Sequence, residues 1–283
     1  MMKNEVVIIG LGKMGGNMAL RLRQRGWKIL GLDKGDDYSQ IQMMLKPRII
    51  ILSIPSAFVD DVIKVIVPHL EAGDIVIDAG NSYYKDTIRR AREFAKKEIK
   101  FIDVGMSGGP EGAKHGASLM IGGDKKTFEY LIPIFKDMAR ENAFQFFEGA
   151  GAGHFVKMVH NGIEYGMMQA LAEGFTILKK SKFNLDLERV AEIYNKGSVI
   201  ESRLVSWIRE AFTEHGQDFK NVSGKVGHTG EGAWTVKTAK EFGVDAKVLA
   251  EAMKFRITSQ KKPSWTGRFL SALRGQFGGH STK

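Results

Sequence analysis

Val6-Val7-Ile8-Ile9-Gly10-Leu11-Gly12-Lys13-Met14-Gly15 decides the fold of this chain. Four β-branched apolar residues, enough for a short strand, run straight into glycines at the G-x-G-x-x-G spacing. A helix-period segment, Met14–Arg25, follows. In that strand–turn–helix setting the first glycine permits a tight turn, the second lets backbone approach a pyrophosphate, and the third packs helix against strand. The opening helix then turns its N–H groups toward the phosphates. The stretch predicts a dinucleotide-binding turn.

Reading outward, Asp33 closes the next apolar run, roughly 20 residues on, where an acid can bond the ribose hydroxyls. A carboxylate there repels a 2′-phosphate and favours NAD. Lys34 beside it offers that phosphate a cation, so NADP stays open. The expected cofactor-binding set is Gly10, Leu11, Gly12, Lys13, Met14, Gly15, Asp33, Lys34, Ser53, Ile54, Pro55 and Asn81.

Strand-like runs at Val6–Ile9, Lys28–Leu32, Ile49–Ser53, Ile75–Asp78 and Phe101–Val104 alternate with helical periods at Met14–Arg25, Phe58–His69 and Asp86–Lys97. A short turn falls near Ser39–Leu45. Such alternation means βαβ units and a mostly parallel sheet covered on both faces. Two more short strands, Ser118–Ile121 and Phe144–Phe147, flank a helix at Lys125–Arg140. The glycine-rich Gly149–Gly153 then ends the strand signals. Helices are expected at His154–Lys180, Asp186–Asn195, Ser202–His215, Ala233–Phe242, Asp245–Ser259 and Trp265–Arg274. The fold class is an α/β Rossmann domain, residues 1–150, followed by an all-α domain, residues 151–283.

The composition narrows the function classes. There is no cysteine, so disulfide and thiolate chemistry are excluded. The longest apolar run, Ile49–Ile54, is strand-sized and cannot span a bilayer. No signal peptide is read at the N-terminus, and the expected location is cytoplasmic, away from membranes. The net charge of +10 points to anionic partners. Much of it lies past Glu251, where no acidic residue follows and Lys254, Arg256, Lys261, Lys262, Arg268, Arg274 and Lys283 do. This tail lacks a nucleic-acid-binding motif, and its Phe269, Leu270, Leu273 and Phe277 need a surface to bury. A neighbouring subunit is the expected provider, because the helical domain is short.

Lys157-Met158-Val159-His160-Asn161-Gly162-Ile163-Glu164-Tyr165 is the segment richest in chemistry. Residues three, four and seven apart share a helix face, so Lys157, His160, Asn161 and Glu164 form one polar stripe. The rest of that helix is apolar, at Met158, Val159, Ile163, Met167 and Met168. A polar stripe on such a helix lines a cavity more readily than it meets bulk water. A lysine whose pKa is lowered by burial serves as a base and a carboxyl as an acid. Asp78-Ala79-Gly80-Asn81-Ser82 and Ser107-Gly108-Gly109 follow strands, at the rim where open α/β sheets bind ligands.

On these pieces the chain resembles the 6-phosphogluconate dehydrogenases, within the broader β-hydroxyacid dehydrogenase family. The matching stretches are Gly10–Gly15, Gly80–Ser82, Gly105–Gly112, Ser118–Gly123, Gly149–Gly153, Phe155–Gly166 and Arg274–His280, spread over the whole chain. The length resembles that of the short form, with a trimmed helical domain.

The resemblance implies that Lys157 is the general base on the carbon-3 hydroxyl and that Glu164 protonates carbon 1 of the enediol left by decarboxylation. Asn161 acts beside them. Asn81, Ser107, Gly108, Gly109, His160 and Asn161 would hold the sugar acid. Tyr165, Arg256, Arg274 and His280 would hold its phosphate. No metal is implied. The resemblance also implies a homodimer or tetramer in which the C-terminal tail completes the neighbouring site. In one loop the chain departs from the pattern: Thr229 stands where long members carry a phosphate-binding lysine, Glu231 follows, and Ala233 replaces a basic residue. An acid at Glu231 would repel phosphate. Another β-hydroxyacid dehydrogenase, such as one acting on hydroxyisobutyrate, would share the glycine loop, Lys157 and Asn161 but would not need His160, Glu164 or Arg256. A non-catalytic dinucleotide sensor would need neither Lys157 nor Glu164.

Overall fold

The computed structural model describes residues 5–278 and residue 282. Two compact units divide the chain, Met1–Met158 and Val159–Lys283.

The first unit is built on a seven-stranded sheet in the order β2-β1-β3-β4-β5-β6-β7. Its strands are β1 (Glu5–Ile9), β2 (Lys28–Leu32), β3 (Ile49–Leu52), β4 (Ile75–Asp78), β5 (Lys100–Ser107), β6 (Ala117–Gly123) and β7 (Ala139–Glu148). Strands β1 to β5 are parallel to their neighbours, β6 runs antiparallel to β5, and β7 lies parallel to β6. The continuous aliphatic runs of β1, β3 and β4 suit strands covered on both faces. Alternate residues feed two cores. Val6 and Ile8 pack with Met18, Ala19 and Leu22 of α1 (Lys13–Gln24), and with Leu131 and Phe135 of α5 (Lys125–Met138). Val7 and Ile9 pack with Val59 and Ile66 of α2 (Val59–Ile66) and Phe94 of α3 (Tyr84–Ala95). The strand order reverses between β1 and β3, so their carboxyl ends form the crevice where such sheets take ligands.

The differences from the expected elements that matter most for the site lie around β5. Strand β5 continues to Ser107 rather than ending at Val104, because its last residues pair with β6 through Ser107↔Ser118. A short helix, α4 (Gly109–His115), follows. Its glycines and proline mask it in the sequence, but Gly108 and Gly109 have φ of 124° and 62° and turn the chain sharply from strand into helix. Strand β7 begins at Ala139, directly after α5, and is longer than the four residues its aromatics mark.

The helical segment that joins the units is α6 (Ala152–Lys180), 29 residues. The second unit contains α7 (Leu187–Tyr194), α8 (Arg203–His215), α9 (Glu231–Glu241), α10 (Lys247–Ser259) and α11 (Trp265–Gly278). Its core joins Phe175, Phe212, Phe219 and Phe269 with Ile208, Leu270 and Leu273. The Phe175–Phe269 rings stack at 5.3 Å and Phe212–Phe219 at 5.0 Å, close aromatic pairing that adds to simple burial. This corrects the expectation for the tail: Phe269, Leu270 and Leu273 are buried within their own unit, and Phe277 stacks on Trp207 of α8. Helix α8 supplies the apolar surface that was expected from another subunit.

Among the described residues no helix is long and apolar enough to cross a membrane. Nor do they hold a group of three or more His, Cys, Asp or Glu side chains able to hold a metal ion.

Candidate active site

The glycine loop sits at the end of β1. Gly10 has φ of 91°, and a Cβ there would lie 2.5 Å from the Ser53 carbonyl oxygen and 2.5 Å from Ile54 Cγ2. A Cβ on Gly15 would lie 1.9 Å from the Gly10 carbonyl oxygen. The loop is therefore closed to side chains on its inner side, and Ser53 and Ile54 are its neighbours. At Gly12 a Cβ would meet nothing within 4 Å, and no side chain caps the helix that Gly12 opens. First-turn N–H groups of a helix lack intrahelical partners, so this open side fits a pyrophosphate. Asp33 Oδ2 accepts from the Leu11 amide at 3.1 Å, and its Oδ1 accepts from the Lys34 amide at 2.8 Å. The carboxylate is thereby held against the glycine loop. Asp36, which the sequence reading passed over, accepts from the Asp33 amide through Oδ2 at 2.7 Å. Two carboxylates thus lie together at the end of β2, with Lys34 the lone cation in Asp33-Lys34-Gly35-Asp36-Asp37. Pro55 and Lys13 are exposed beside this loop.

The loop after β4 is organised by Asp78. Its Oδ2 accepts from the Ser82 hydroxyl at 2.7 Å and its Oδ1 from the Gly80 amide at 3.1 Å. Arg90 bonds Ser82 Oγ at 3.2 Å and Asp60 Oδ1 at 2.7 Å. This network leaves Asn81 exposed at the tip. Ser107, Gly108 and Gly109 form the corner between β5 and α4.

Lys157 is 7 % exposed and lies over β5: a Cβ on Gly105 would fall 2.3 Å from Lys157 Cβ and 2.9 Å from its Cγ. Further along α6, Asn161 is 8 % exposed, and its Oδ1 lies 3.0 Å from His160 Nδ1. Glu164 Oε2 lies 3.9 Å from the same nitrogen. By contrast Ile163 and Met167 are exposed. Lys157 and Asn161 of the polar stripe are thus covered, His160 and Glu164 are partly exposed, and Ile163 and Met167 of the apolar set lie open.

A second cluster forms within the helical unit. The Arg256 guanidinium lies 3.6 Å from the centroid of the Tyr165 ring, a close cation–π contact, and donates to the Gly227 carbonyl at 3.0 Å. Burial lowers Arg256 to about 10, with Tyr165 the largest opposing influence, so it remains a cation at neutral pH. Burial also lowers Arg274, against the pull of Tyr165, Glu164 and Glu231. The Tyr165 phenol is pushed up by burial, and its hydroxyl shares a hydrogen bond with the Thr229 side chain. Thr229 donates to Glu231 Oε2 at 2.6 Å. Glu231 is 2 % exposed, and its Oε1 lacks a hydrogen-bond partner among the described residues. Ala233 is exposed on α9. His280 lies outside the described residues.

Sequence reasoning missed Asp103 on β5. It is fully buried, and it accepts from the Gly151 amide at 2.7 Å and the His154 amide at 2.8 Å. The signal was present: an acid in the middle of Phe101-Ile102-Asp103-Val104 has no place in a buried strand unless it has polar work there.

A Rossmann unit, a long connecting helix that carries a covered lysine, and a helical unit with a buried Tyr–Arg pair define a two-domain nicotinamide-dependent dehydrogenase of the β-hydroxyacid type. The chain belongs to the 6-phosphogluconate dehydrogenase family. Residues 36–149 match the profile of the NAD binding domain of 6-phosphogluconate dehydrogenase, and residues 153–269 match that of its C-terminal domain. The chain is 39 % identical to YqeC of Bacillus subtilis, a protein provisionally named as a 6-phosphogluconate dehydrogenase, over 99 % of both chains. It is 35 % identical to the NAD(+)-dependent, decarboxylating 6-phosphogluconate dehydrogenase of Haloferax volcanii over 96 % of each. Among solved structures, the Plasmodium falciparum 6-phosphogluconate dehydrogenase, described in complex with NADP+ and with 6-phosphogluconate, superposes with a TM-score of 0.81 at 28 % identity. That match covers 96 % of this chain and 70 % of the other.

Proposed function

We propose that this chain oxidises and decarboxylates 6-phosphogluconate, yielding ribulose 5-phosphate and carbon dioxide, with NAD preferred over NADP. The observation that carries the reading is the burial of Lys157 and Asn161 on the polar stripe of α6, within the segment that matches the family's C-terminal domain. A bound nicotinamide ring supplies the hydride acceptor for carbon 3. Lys157 takes the proton of the carbon-3 hydroxyl as hydride leaves, giving a 3-keto acid. The carboxylate at carbon 1 then departs as carbon dioxide, its bonding electrons passing through carbon 2 to the ketone oxygen, which takes back the proton held by Lys157 to give an enediol. Glu164 then gives a proton to the carbon that lost the carboxylate, carbon 1 of the five-carbon enediol, as Lys157 again takes the hydroxyl proton and the ketone of ribulose 5-phosphate forms.

Asn81, Ser107, Gly108, Gly109, His160 and Asn161 hold the sugar acid in this proposal. Tyr165, Arg256, Arg274 and His280 hold the phosphate. Glu231 is less of an obstacle than its sequence position suggests. It is engaged by Thr229, and its charge, with that of Glu164, is set against the two arginines Arg256 and Arg274. The cofactor domain is residues 1–150 and the substrate and dimerisation domain residues 151–283. NAD preference is supported by Asp33 and Asp36. The assembly is a homodimer or tetramer. Arg274 has its neighbours within its own unit, so sharing of the site between subunits rests on His280. Mixing inactive Lys157→Met and His280→Ala subunits restores activity if the tail crosses to a neighbour, and restores none if it does not.

The test is cofactor reduction with 6-phosphogluconate, gluconate and hydroxyisobutyrate, each with NAD and with NADP. Turnover with 6-phosphogluconate and NAD should exceed every other combination. Preference for gluconate would mean that Glu231 defeats the phosphate, and preference for hydroxyisobutyrate would remove the sugar-acid reading.

A further inference from the structure

Helix α6 begins after Gly149-Ala150-Gly151, a stretch without Ser, Thr, Asp or Asn to cap it. The cap comes from elsewhere in the sequence. Asp103, 48 residues before Gly151, takes the Gly151 amide on one carboxylate oxygen and the His154 amide on the other. We infer that Asp103 is a positioning residue for Lys157: it fixes where α6 starts on β5, and so sets where the base is held. The inference rests on Lys157 being the base.

Three features support a positioning role over a merely structural one. Both carboxylate oxygens are used, so the helix end is fixed in direction as well as distance. Only three residues separate His154 from Lys157, less than one helical turn, so any displacement of the first turn is carried rigidly to the lysine. Residues two apart on a strand share a face, and Asp103 and Gly105 are two apart on β5. The first holds the amides of α6, and the second makes room for Lys157 Cβ. The surroundings are shaped to this contact. A Cβ on Gly122 would lie 2.6 Å and 2.7 Å from the Asp103 oxygens and 2.5 Å from the Gly153 amide nitrogen. His154 adds a second tie, its Nδ1 lying 2.8 Å from Thr87 Oγ1 of α3. Burial raises the Asp103 carboxyl, with His154 and the two amides opposing it.

Asparagine cannot replace this acid. It has the same shape, but one of its two polar atoms is an NH2 group, which would face an amide donor. Asp103→Asn should therefore keep the KM for the cofactor, whose loop lies on β1, and lower kcat about 10- to 100-fold, the range expected when a reacting group is misplaced by about 1 Å. With substrate deuterated at carbon 3, the isotope effect on kcat should rise as hydride transfer becomes limiting. Asp103→Ser, which can satisfy at most one amide, serves if the asparagine variant does not fold. The deciding measurement is the double variant with Lys157→Met. If Asp103 acts through the lysine, Asp103→Asn costs nothing further once Lys157 is gone. Multiplying losses in the double variant, or an unchanged kcat in folded Asp103→Asn, overturns the inference. Full activity in Lys157→Met alone would instead overturn the reading of Lys157 as the base, and the two failures are told apart by that single variant.

Discussion

Gly105→Ala perturbs the lysine from the strand side and leaves every charged group in place. The new Cβ would lie 2.3 Å from Lys157 Cβ, against ordinary contact at 3.4 Å or more, and 3.2 Å from the Gly153 carbonyl. The clash involves the rigid base of the side chain and backbone, not a flexible tip, so α6 must move away from β5 by about 1 Å. Overpacking of this kind costs roughly 1–3 kcal/mol of stability, which a folded unit with extensive cores can absorb. A displacement of about 1 Å at a reacting group costs on the order of 10²-fold in rate. The assay is steady-state kcat and cofactor KM beside a thermal melt, with Gly174→Ala as control. Gly174 lies on the same helix, and its Cβ would meet nothing within 4 Å. The control should be neutral in kcat and slightly stabilising, by about 0.5–1 kcal/mol, as expected for Gly to Ala inside a helix. Wild-type kcat in a folded Gly105→Ala protein would refute the placement of Lys157 as the determinant of rate.

Asp33→Ser should narrow the preference for NAD over NADP, measured as the ratio of kcat/KM values. A wild-type preference for NADP would show that Lys34 dominates the loop. Lys157→Met should lower turnover by at least ~10²–10⁴-fold, the usual worth of a positioned base. Glu164→Gln should instead retain a stopped-flow burst of reduced cofactor followed by slow turnover, and loss of the burst would move Glu164 to the hydride step. Asp60 is held below the usual carboxylate range chiefly by its hydrogen bond from Arg90, which also supports Ser82. A lowered folded value means that this stabilisation is complete above the ordinary aspartate pKa of about 4 and is lost as pH falls through the folded value. Asp60→Asn should thus be less stable than wild type at pH 7, by about 1 kcal/mol, since Asp60 itself is partly exposed and screened by solvent. The two melting curves should converge in acid, and a constant gap across pH would exclude the ion pair as the cause.

Much of the first unit was legible because its strands are unbroken aliphatic runs and its glycines fall at one diagnostic spacing. Helix α4 was not, since Gly109-Pro110-Glu111-Gly112 has the composition of a turn, and what holds it comes from outside the segment, the Asn17 side-chain amide of α1 donating to the Pro110 carbonyl at 3.1 Å. The polar stripe of α6 followed from helical period alone. The burial of Lys157 and Asn161 agrees with a stripe that avoids bulk water, whereas the exposure of Ile163 and Met167 runs against their hydropathy. Asp103 acts on the backbone of a distant segment and Asp36 on that of its own loop, and hydrogen bonds to amides leave no residue-type signature in the partner. The C-terminal helix was assigned apolar contacts correctly but given the wrong provider, because the surface on α8 that receives Phe277 is made by tertiary packing.

In the proposed reaction hydride loss and decarboxylation are coupled in one turnover. The decisive measurement uses 6-phosphogluconate carrying labelled carbon at position 1 and follows reduced cofactor and released label together. One labelled carbon dioxide is expected for each cofactor reduced, with ribulose 5-phosphate as the other product and no release in Lys157→Met. Cofactor reduction with the label retained in the product acid would contradict that coupling, and would make the chain a dehydrogenase that stops at the keto acid.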